Sequence, residues 1–394
     1  MIYLDNAGTT KVSDNVLKKI NPFFNEIYGN ASSLHTAGQI AKEYLESARA
    51  DVAKCLNANA DEIYFTSGGS ESDNWALNSA AKYGALKGKK HIITSAIEHH
   101  AILHTLDELK KQGFEVTYLP VYENGIVKVE DLKNAIRPDT VLVTIMFANN
   151  EIGTIQPVEE IGKICREKGI IFHTDAVQAV GHLPIDVAKM NIDMLSMSGH
   201  KFHAPKGVGA LYCRKGTPLF NFIYGGAQER NRRAGTENLP GIVGLATALK
   251  DATSEMEKTA KREKYLRDKL FTELKKIPHS KINGDLEKRL PNNFNMCFEG
   301  IEGESLLLLL DEKGICASSG SACTSGSLDP SHVLLAIGLA HEVAHGSLRL
   351  TLSKYTTEEE IDATIKAVPE VVDYLRKMSP VWDELQKGER KYAL

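Results

Sequence analysis

The sequence is poor in cysteine, and its six cysteines show no tight or regular spacing. None of them forms a C-x-x-C pair, so the sequence lacks the dense cysteine framework of a small secreted scaffold. Disulfide scaffolds belong to oxidising compartments, whereas scattered single cysteines are typical of proteins in a reducing one. We therefore expect a cytoplasmic protein.

Long apolar runs and a strong charge imbalance are also missing. No stretch is long and apolar enough to cross a bilayer, and the N-terminus lacks the basic segment and apolar core of a signal peptide. The formal net charge is −4, which gives no reason to expect nucleic acid or a membrane as a partner. The chain does have length: 394 residues, 42% of them hydrophobic, can form one large domain and a smaller one.

The middle of the chain alternates between apolar runs of strand length and helical segments. Strands are predicted over 91–95, 115–120, 141–147 and 169–173, with helices over 101–112, 130–136 and 158–168. This alternation predicts an α/β fold with a mainly parallel sheet that helices cover on both faces. Sites in such sheets lie at the carboxyl ends of the strands. His99, Asn150 and Asp175 each follow a predicted strand and are therefore candidate site residues.

Further elements are predicted on both sides of this alternating unit. Helices are expected over 12–28, 39–56 and 74–87, and a long charged helix is expected over 238–276. We interpret this last helix as a bridge between a large domain, residues 12–260, and a smaller α+β domain, residues 261–394. The N-terminal segment 1–11 is expected to join the two domains.

The stretch 174–207 carries the strongest chemical signal. Asp175 follows an apolar run. A short helix and then a buried strand are predicted over 187–197, and Lys201 follows that strand. A carboxylate and an amine at the ends of two strands suit pyridoxal phosphate (PLP). The lysine would form a Schiff base with the aldehyde, and the carboxylate would keep the ring nitrogen protonated.

Small residues over 67–73 follow a short predicted strand and precede a helix. Such a helix start leaves free N–H groups, and the helix dipole adds to their attraction for an anion. An ordinary glycine turn with an aspartate or serine cap is the alternative. The position upstream of a Schiff-base lysine favours a phosphate-binding turn.

Several separate segments together resemble one known family. They are YLDNA (3–7), FTSGGSESDN (65–74), EH (98–99), NNEIG (149–153), HTDAVQ (173–178), SGHK (198–201), RAGT (233–236), SGSAC (319–323) and LRL (348–350). In this order they resemble the fold-type I PLP enzymes, class V aminotransferase-like, and within these the cysteine desulfurases of the NifS/IscS type. The resemblance covers nearly the whole chain.

The resemblance implies a role for each matching residue. Lys201 would carry PLP, Asp175 would pair with its ring nitrogen, and His99 would stack on the ring and help to move protons. The cofactor would further be held by Asn150 and Gln178 at the ring hydroxyl, by Gly69, Ser70, Ser198 and His200 at the phosphate, and by Thr236 at the phosphate of a neighbouring subunit. The last role implies a homodimer. Arg349, together with Asn150, would bind the substrate, with the arginine clamping its carboxylate.

Cys323 differs from the other cysteines in its surroundings. It lies in ASSGSACTSGS (317–327), a stretch with no apolar side to bury, whereas the others lie in apolar segments. The resemblance implies that Cys323 takes sulfur from L-cysteine as a persulfide and leaves L-alanine. The sulfur would pass to an iron–sulfur scaffold or another acceptor protein, which the sequence does not specify.

Two alternatives remain open at this point, and one further motif is set aside. Another enzyme of the same fold, such as an aminotransferase or a selenocysteine lyase, would share Lys201 and Asp175. A sulfur carrier without catalysis of its own would not require that pair. The pattern His341-Glu342-Val343-Ala344-His345 matches the H-E-x-x-H of zinc proteases. Gly346 is expected to end that helix, and no later histidine could complete a zinc site, so we expect no metal.

Overall fold

The computed structural model describes residues 1–319 and 330–394. Its helices are α1 (Asp14–Ile20), α2 (Thr36–Cys55), α3 (Gly69–Leu86), α4 (His100–Lys111), α5 (Val129–Ala135), α6 (Val158–Lys168), α7 (Gln228–Asn231), α8 (Leu239–Leu274), α9 (Gly303–Glu312), α10 (His332–Ala336), α11 (His341–His345), α12 (Glu358–Met378) and α13 (Pro380–Lys387). Its strands are β1 (Ile2–Tyr3), β2 (Ile63–Thr66), β3 (His91–Ser95), β4 (Glu115–Leu119), β5 (Thr140–Thr144), β6 (Ile171–Asp175), β7 (Met194–Ser198), β8 (Gly209–Cys213), β9 (Ser280–Ile282), β10 (Asn293–Phe298), β11 (Ile315–Cys316) and β12 (Ser347–Thr351).

A seven-stranded sheet forms the centre of the large unit, with the order β2-β8-β7-β6-β5-β3-β4. Strands β3 to β7 pair in parallel, and β8 runs antiparallel to both of its neighbours. Successive side chains of a strand point to opposite faces. Thus Ile92 packs with Trp75 of α3 on one face, and Ile93 packs with Ile161 of α6 on the other. The expected α/β fold, with a mainly parallel sheet covered on both faces, is confirmed.

A second core lies around the three-stranded antiparallel sheet β12-β10-β9. Phe294 and Leu348 from this sheet pack with Leu266 of α8 and Val368 of α12. Leu4 belongs to the same core, and strand β1 pairs with β11. The N-terminal segment therefore attaches to the C-terminal part of the chain. Helix α8 runs through the proposed boundary at residue 260, so the division into 12–260 and 261–394 stays a prediction.

Three local predictions were wrong. The helix predicted over 12–28 ends as an α-helix at Ile20, and a 3₁₀ turn follows in which Pro22 lacks the N–H that a helix needs. Helix α3 begins at Gly69 rather than residue 74, and the Glu71 carboxylate of its first turn accepts from the Ser67 N–H, just before the helix, at 2.8 Å. Residues 187–191 form turns instead of a helix.

Strands β8 and β9 were not predicted. Both are short, and their pairing depends on partners distant in sequence: β8 pairs with β2 and β7, and β9 pairs with β10. Within residues 1–319 and 330–394, no helix has the length and apolarity that crossing a membrane requires.

Candidate active site

A cavity of about 350 Å³ lies at the carboxyl ends of strands β3, β5, β6 and β7. The predicted site residues that line it are Gly69, Ser70, His99, Asn150, Asp175, Gln178, Ser198, His200, Lys201 and Arg349. Thr236 does not line it and is exposed in the loop before α8. The predicted nucleophile Cys323 lies outside the described residues. The fold thus brings together side chains from both halves of the sequence.

Lys201 ends a 3₁₀ turn, Gly199–Lys201, directly after strand β7. Its Nζ donates to the backbone oxygens of Ala7, at 2.6 Å, and Gly8, at 2.8 Å. Strands β6 and β7 pair in parallel, with Asp175 opposite Ser196. The two strands therefore deliver the Asp175 carboxylate and the Lys201 amine to the same edge of the sheet.

Asp175 is almost fully buried, with 5% of its surface exposed. Its Oδ1 accepts from the Val177 N–H at 2.9 Å. Burial raises the pKa of this carboxyl, while the charges of His99 and Lys201 and the Val177 hydrogen bond oppose that rise. A protonated ring nitrogen next to it would favour the ionised carboxylate further, because opposite charges stabilise each other at short range.

Two more carboxyl groups, Asp73 and Glu98, share the cavity wall. Burial raises the pKa of Glu98 to about 8, and burial together with the Asp175 charge raises the pKa of Asp73 well above its usual range. Among the described residues, neither Asp73 Oδ1 nor Glu98 Oε2 has a hydrogen-bond partner. At neutral pH Glu98 is therefore mainly protonated, and burial likewise disfavours the charged form of Asp73.

His99 is at once a helix cap and a cavity residue. Its Nδ1 accepts from the Ala101 N–H at 3.2 Å and so caps helix α4. The cap fixes the plane of an imidazole that lines the cavity. Capping the helix therefore orients this ring and is compatible with stacking of the ring on a cofactor.

The N-terminus of the 18-residue helix α3 supplies Gly69 and Ser70 to the cavity. A Cβ atom on Gly69 would lie 2.6 Å from Val177 Cγ2, so only glycine allows this close approach. Ser198 and His200 reach the same cavity from the end of β7. Burial, followed by the charges of Lys201 and a nearby lysine, lowers the pKa of His200 to about 4. A neutral imidazole, a hydroxyl and free helix N–H groups form a suitable cradle for a phosphate.

Asn150 and Gln178 also reach the cavity. The Gln178 Nε2 donates to the Ala7 oxygen at 3.1 Å, the same oxygen that Lys201 contacts. The Asn150 backbone oxygen accepts from Arg349 Nη1 at 3.1 Å. Their proposed contacts with the ring hydroxyl stay predictions.

Arg349 is 2% exposed and lies on strand β12 of the three-stranded sheet. Its Nη2 donates to Asp5 Oδ1 at 2.9 Å, while its Nε has no hydrogen-bond partner among the described residues. Arg349 lines the cavity, and a buried guanidinium with an unused donor suits a carboxylate ligand. Asp5 lies in the segment YLDNA (3–7), and the sequence alone predicts no role for it.

Glu151 and His332 are further cavity residues that sequence reasoning missed. Burial raises the pKa of Glu151 to about 7, although a Ser331 hydrogen bond and the Arg349 charge lower it. Glu151 stands in the quoted segment NNEIG, so its position next to Asn150 was the available signal. His332 carried no signal, because it reaches the cavity from a distant part of the chain.

These residues fit PLP on four physical grounds. The cavity has the size of a small-molecule site, a helix N-terminus and the Gly69 approach accommodate a phosphate, Asp175 provides one buried negative charge, and Lys201 provides an amine. None of these four grounds involves a metal ion. Within residues 1–319 and 330–394, no group of three or more His, Cys, Asp or Glu side chains could hold a metal ion. The histidines of the H-E-x-x-H pattern lie on the five-residue helix α11, which ends at His345.

Comparison with known proteins agrees with this geometry. The family model described as "Aminotransferase class-V" matches residues 2–364. A protein of Methanosarcina thermophila named "Cysteine desulfurase IscS" is 57% identical over 380 residues, 96% of this chain and 94% of that protein. One of the same name from Clostridium botulinum strain Hall is 54% identical over 393 residues, 99% of both chains.

Solved structures are similar over almost the same range. A "NifS-like protein" superposes with a TM-score of 0.89 at 43% identity, covering 95% of this chain and 100% of the other. A structure titled "SspA in complex with cysteine" superposes with a TM-score of 0.81 at 38% identity, covering 91% of this chain and 100% of the other. The chain therefore belongs to the class-V aminotransferase family and, within it, to the cysteine desulfurases of the NifS/IscS type.

Proposed function

We propose that this protein is a PLP-dependent cysteine desulfurase. It converts L-cysteine to L-alanine and transfers the sulfur to Cys323 as a persulfide, for iron–sulfur cluster assembly or another sulfur acceptor. The observation that carries the proposal is that Lys201, Asp175 and Arg349 line one cavity. An amine for the cofactor, a charge for its ring and a guanidinium for an amino acid are the three parts that such an enzyme needs.

Substrate binding rests on Arg349. The ion pair with Asp5 fixes one side of the guanidinium, and the Asn150 backbone oxygen holds Nη1. Arg349 lines the cavity, where its fork of donors would recognise a planar carboxylate. With its carboxylate held there, L-cysteine places its amine on the Lys201 side of the cavity.

Bound in this cavity, PLP would supply an electron sink in conjugation with the Cα atom of the amino acid. Asp175 keeps a negative charge beside the ring nitrogen and so favours its protonated form. The Lys201 amine removes the Cα proton, and His99 is placed to carry a proton within the cavity. The cavity walls position these groups before the reaction begins, which lowers the entropic part of the barrier.

Sulfur transfer conserves atoms and electrons without an outside oxidant. The Cys323 thiolate attacks the sulfur of the substrate, and a new S–S bond forms. The Cβ–S bond breaks with its electron pair staying on carbon, and that carbon gains a proton. The products are L-alanine and a Cys323 persulfide.

The assembly and the location belong to the same proposal. Thr236 is exposed and away from the cavity of its own chain, so a role at a phosphate requires a second copy. This supports a homodimer that completes each site across the interface. A cytoplasmic location is supported by the five free cysteines in the described part of the chain.

The direct test is to add L-cysteine and a thiol reductant to the purified, PLP-loaded protein. We expect alanine and sulfide in equal amounts. The alternative of a selenocysteine lyase predicts turnover of L-selenocysteine only, and an aminotransferase predicts loss of the amine without sulfide. A protein that neither absorbs in the visible range nor releases sulfide would contradict the proposal.

A further inference from the structure

A buried hydrogen bond joins the start of helix α10 to the cavity wall. Ser331, which is 5% exposed, donates from Oγ to Glu151 Oε2 at 2.5 Å. The same Oγ accepts from the Val333 N–H at 3.1 Å and so caps the helix. One hydroxyl thus holds both the first turn of α10 and a carboxyl group of the cavity.

A second contact fixes the same helix start. The His332 Nε2 lies 3.0 Å from the backbone oxygen of Glu98, the residue before His99. Both His332 and Glu151 line the cavity. The beginning of α10 is therefore held at two points on the wall that carries the candidate catalytic groups.

The chain segment before 320 is held at the same cavity. Ser318 and Arg349 exchange two backbone hydrogen bonds, of 3.2 and 2.7 Å. The described chain is therefore anchored at the cavity on both sides of 320–329, through Ser318 beside Arg349 and through Ser331 beside Glu151.

We propose that Glu151 and Ser331 are positioning residues for sulfur transfer, because their hydrogen bond anchors the C-terminal flank of the segment that carries Cys323. This inference rests on the proposed function, since it concerns the step in which the Cys323 thiolate takes the substrate sulfur. The steps that precede this transfer use Lys201, Asp175 and Arg349. The hydrogen bonds described above for these side chains run to partners other than Glu151 and Ser331.

The test separates these two stages in the PLP-loaded enzyme. The absorbance change on adding L-cysteine reports binding and the early steps. Rapid quenching followed by mass spectrometry reports persulfide formation at Cys323. We expect Ser331→Ala and Glu151→Ala each to slow persulfide formation about tenfold, the scale of one buried hydrogen bond, while the absorbance change stays within about twofold. The double variant should be no slower than either single variant, because both remove the same bond.

Two controls separate this role from a loss of stability. Ser13 is another buried serine cap, 3% exposed, whose Oγ accepts from the Val16 N–H. Ser13→Ala should leave persulfide formation at the wild-type rate. Glu151→Gln keeps an acceptor oxygen for Ser331 and should recover most of the rate that Glu151→Ala loses, which also tests the idea if Ser331→Ala does not fold.

Three results would overturn the inference. They are a wild-type persulfide rate in Ser331→Ala, an equal loss in Ser13→Ala, and a loss of the absorbance change in proportion to persulfide formation. If the wild-type enzyme itself forms no persulfide, the proposed function fails, and the positioning role fails with it.

Discussion

Arg349 and Asp5 form an ion pair at the cavity wall, with Arg349 Nη2 2.9 Å from Asp5 Oδ1. The two residues lie at opposite ends of the sequence and meet because the N-terminal segment joins the small sheet, where Asp5 bridges to Thr351. The pair holds a buried guanidinium in one orientation. Its position explains why the first residues of the chain belong to the active site.

Arg349→Lys should raise the KM for L-cysteine by at least about tenfold, because a hydrogen bond to a charged group contributes about 1.5–3 kcal/mol and an ammonium cannot make the forked contact. PLP binding should be unchanged. Steady-state kinetics and the visible spectrum measure the two effects. Arg376→Lys is the matched control, since Arg376 is also buried but bonds to Glu299 and His279. Loss of PLP in Arg349→Lys would mean that this residue serves the cofactor instead.

Lys201→Ala should abolish both the covalent attachment of PLP and turnover. No other described lysine lines the cavity, so no neighbouring amine can replace it. Borohydride reduction followed by peptide mapping checks the attachment. Lys206→Ala, a change at an exposed lysine of the following loop, should keep both properties. A reducible lysine adduct that persists in Lys201→Ala would refute the assignment.

Asp175→Asn should bind PLP but lower kcat by about 10²-fold or more, the scale seen when one preorganised charge contact is removed. Asp73→Asn should cost far less, because burial and the Asp175 charge raise the pKa of Asp73, so the amide replaces a carboxyl whose charged form is disfavoured. The two variants are compared by kcat at saturating L-cysteine. Equal losses would show that the negative charge does not reside on Asp175.

Glu263 allows a stability test outside the active site. Burial raises its pKa to about 8, against about 4.3 in an unfolded chain. The unfolded state ionises first as pH rises, so this group's contribution to stability is present below about pH 4.3 and lost by about pH 8, with a slope of up to about 1.4 kcal/mol per pH unit.

Glu263→Gln removes this titration. The fall in unfolding temperature between pH 5 and pH 8, which lies between the unfolded and folded pKa values, should therefore be smaller in the variant. Thermal unfolding of both proteins across the range provides the measurement. Parallel curves for wild type and variant would show that Glu263 is accessible to water in the native state.

The sequence was sufficient to predict the strand ends that carry His99, Asn150, Asp175 and Lys201. A buried parallel strand is a short apolar run, and the polar residue after it marks the edge where sites lie. These signals are local, so each can be recognised within one segment of the sequence without knowing which other segments it contacts. The same locality explains why helix α2 was predicted close to its observed bounds.

Other features depend on contacts that no local pattern encodes. Asp73 and Glu98 have raised pKa values because the fold buries them near Asp175. Ser331 meets Glu151 across a sequence separation of 180 residues. Strand β8 is recognisable only once its antiparallel neighbours are in place. Such features appear when distant segments are brought together.

The cysteines in the described part of the chain are poor nucleophiles. Burial raises the pKa of Cys213 and Cys297 to about 12 and also raises that of Cys165. Cys316 is partly exposed, yet burial and the Asp311 charge raise its pKa as well. A raised pKa lowers the thiolate fraction that attacks sulfur, which leaves Cys323 as the proposed nucleophile.

The most direct test of this account is mass spectrometry of the enzyme after brief exposure to L-cysteine. Cys316 and Cys323 lie on one tryptic peptide, so fragmentation of that peptide must locate the added sulfur. We predict one added sulfur atom on Cys323 and none on Cys316. Cys323→Ala should still bind PLP and respond to L-cysteine, yet form no persulfide and release no sulfide, while Cys316→Ala should behave as the wild type does. Alanine and sulfide production by Cys323→Ala at the wild-type rate would contradict the persulfide mechanism.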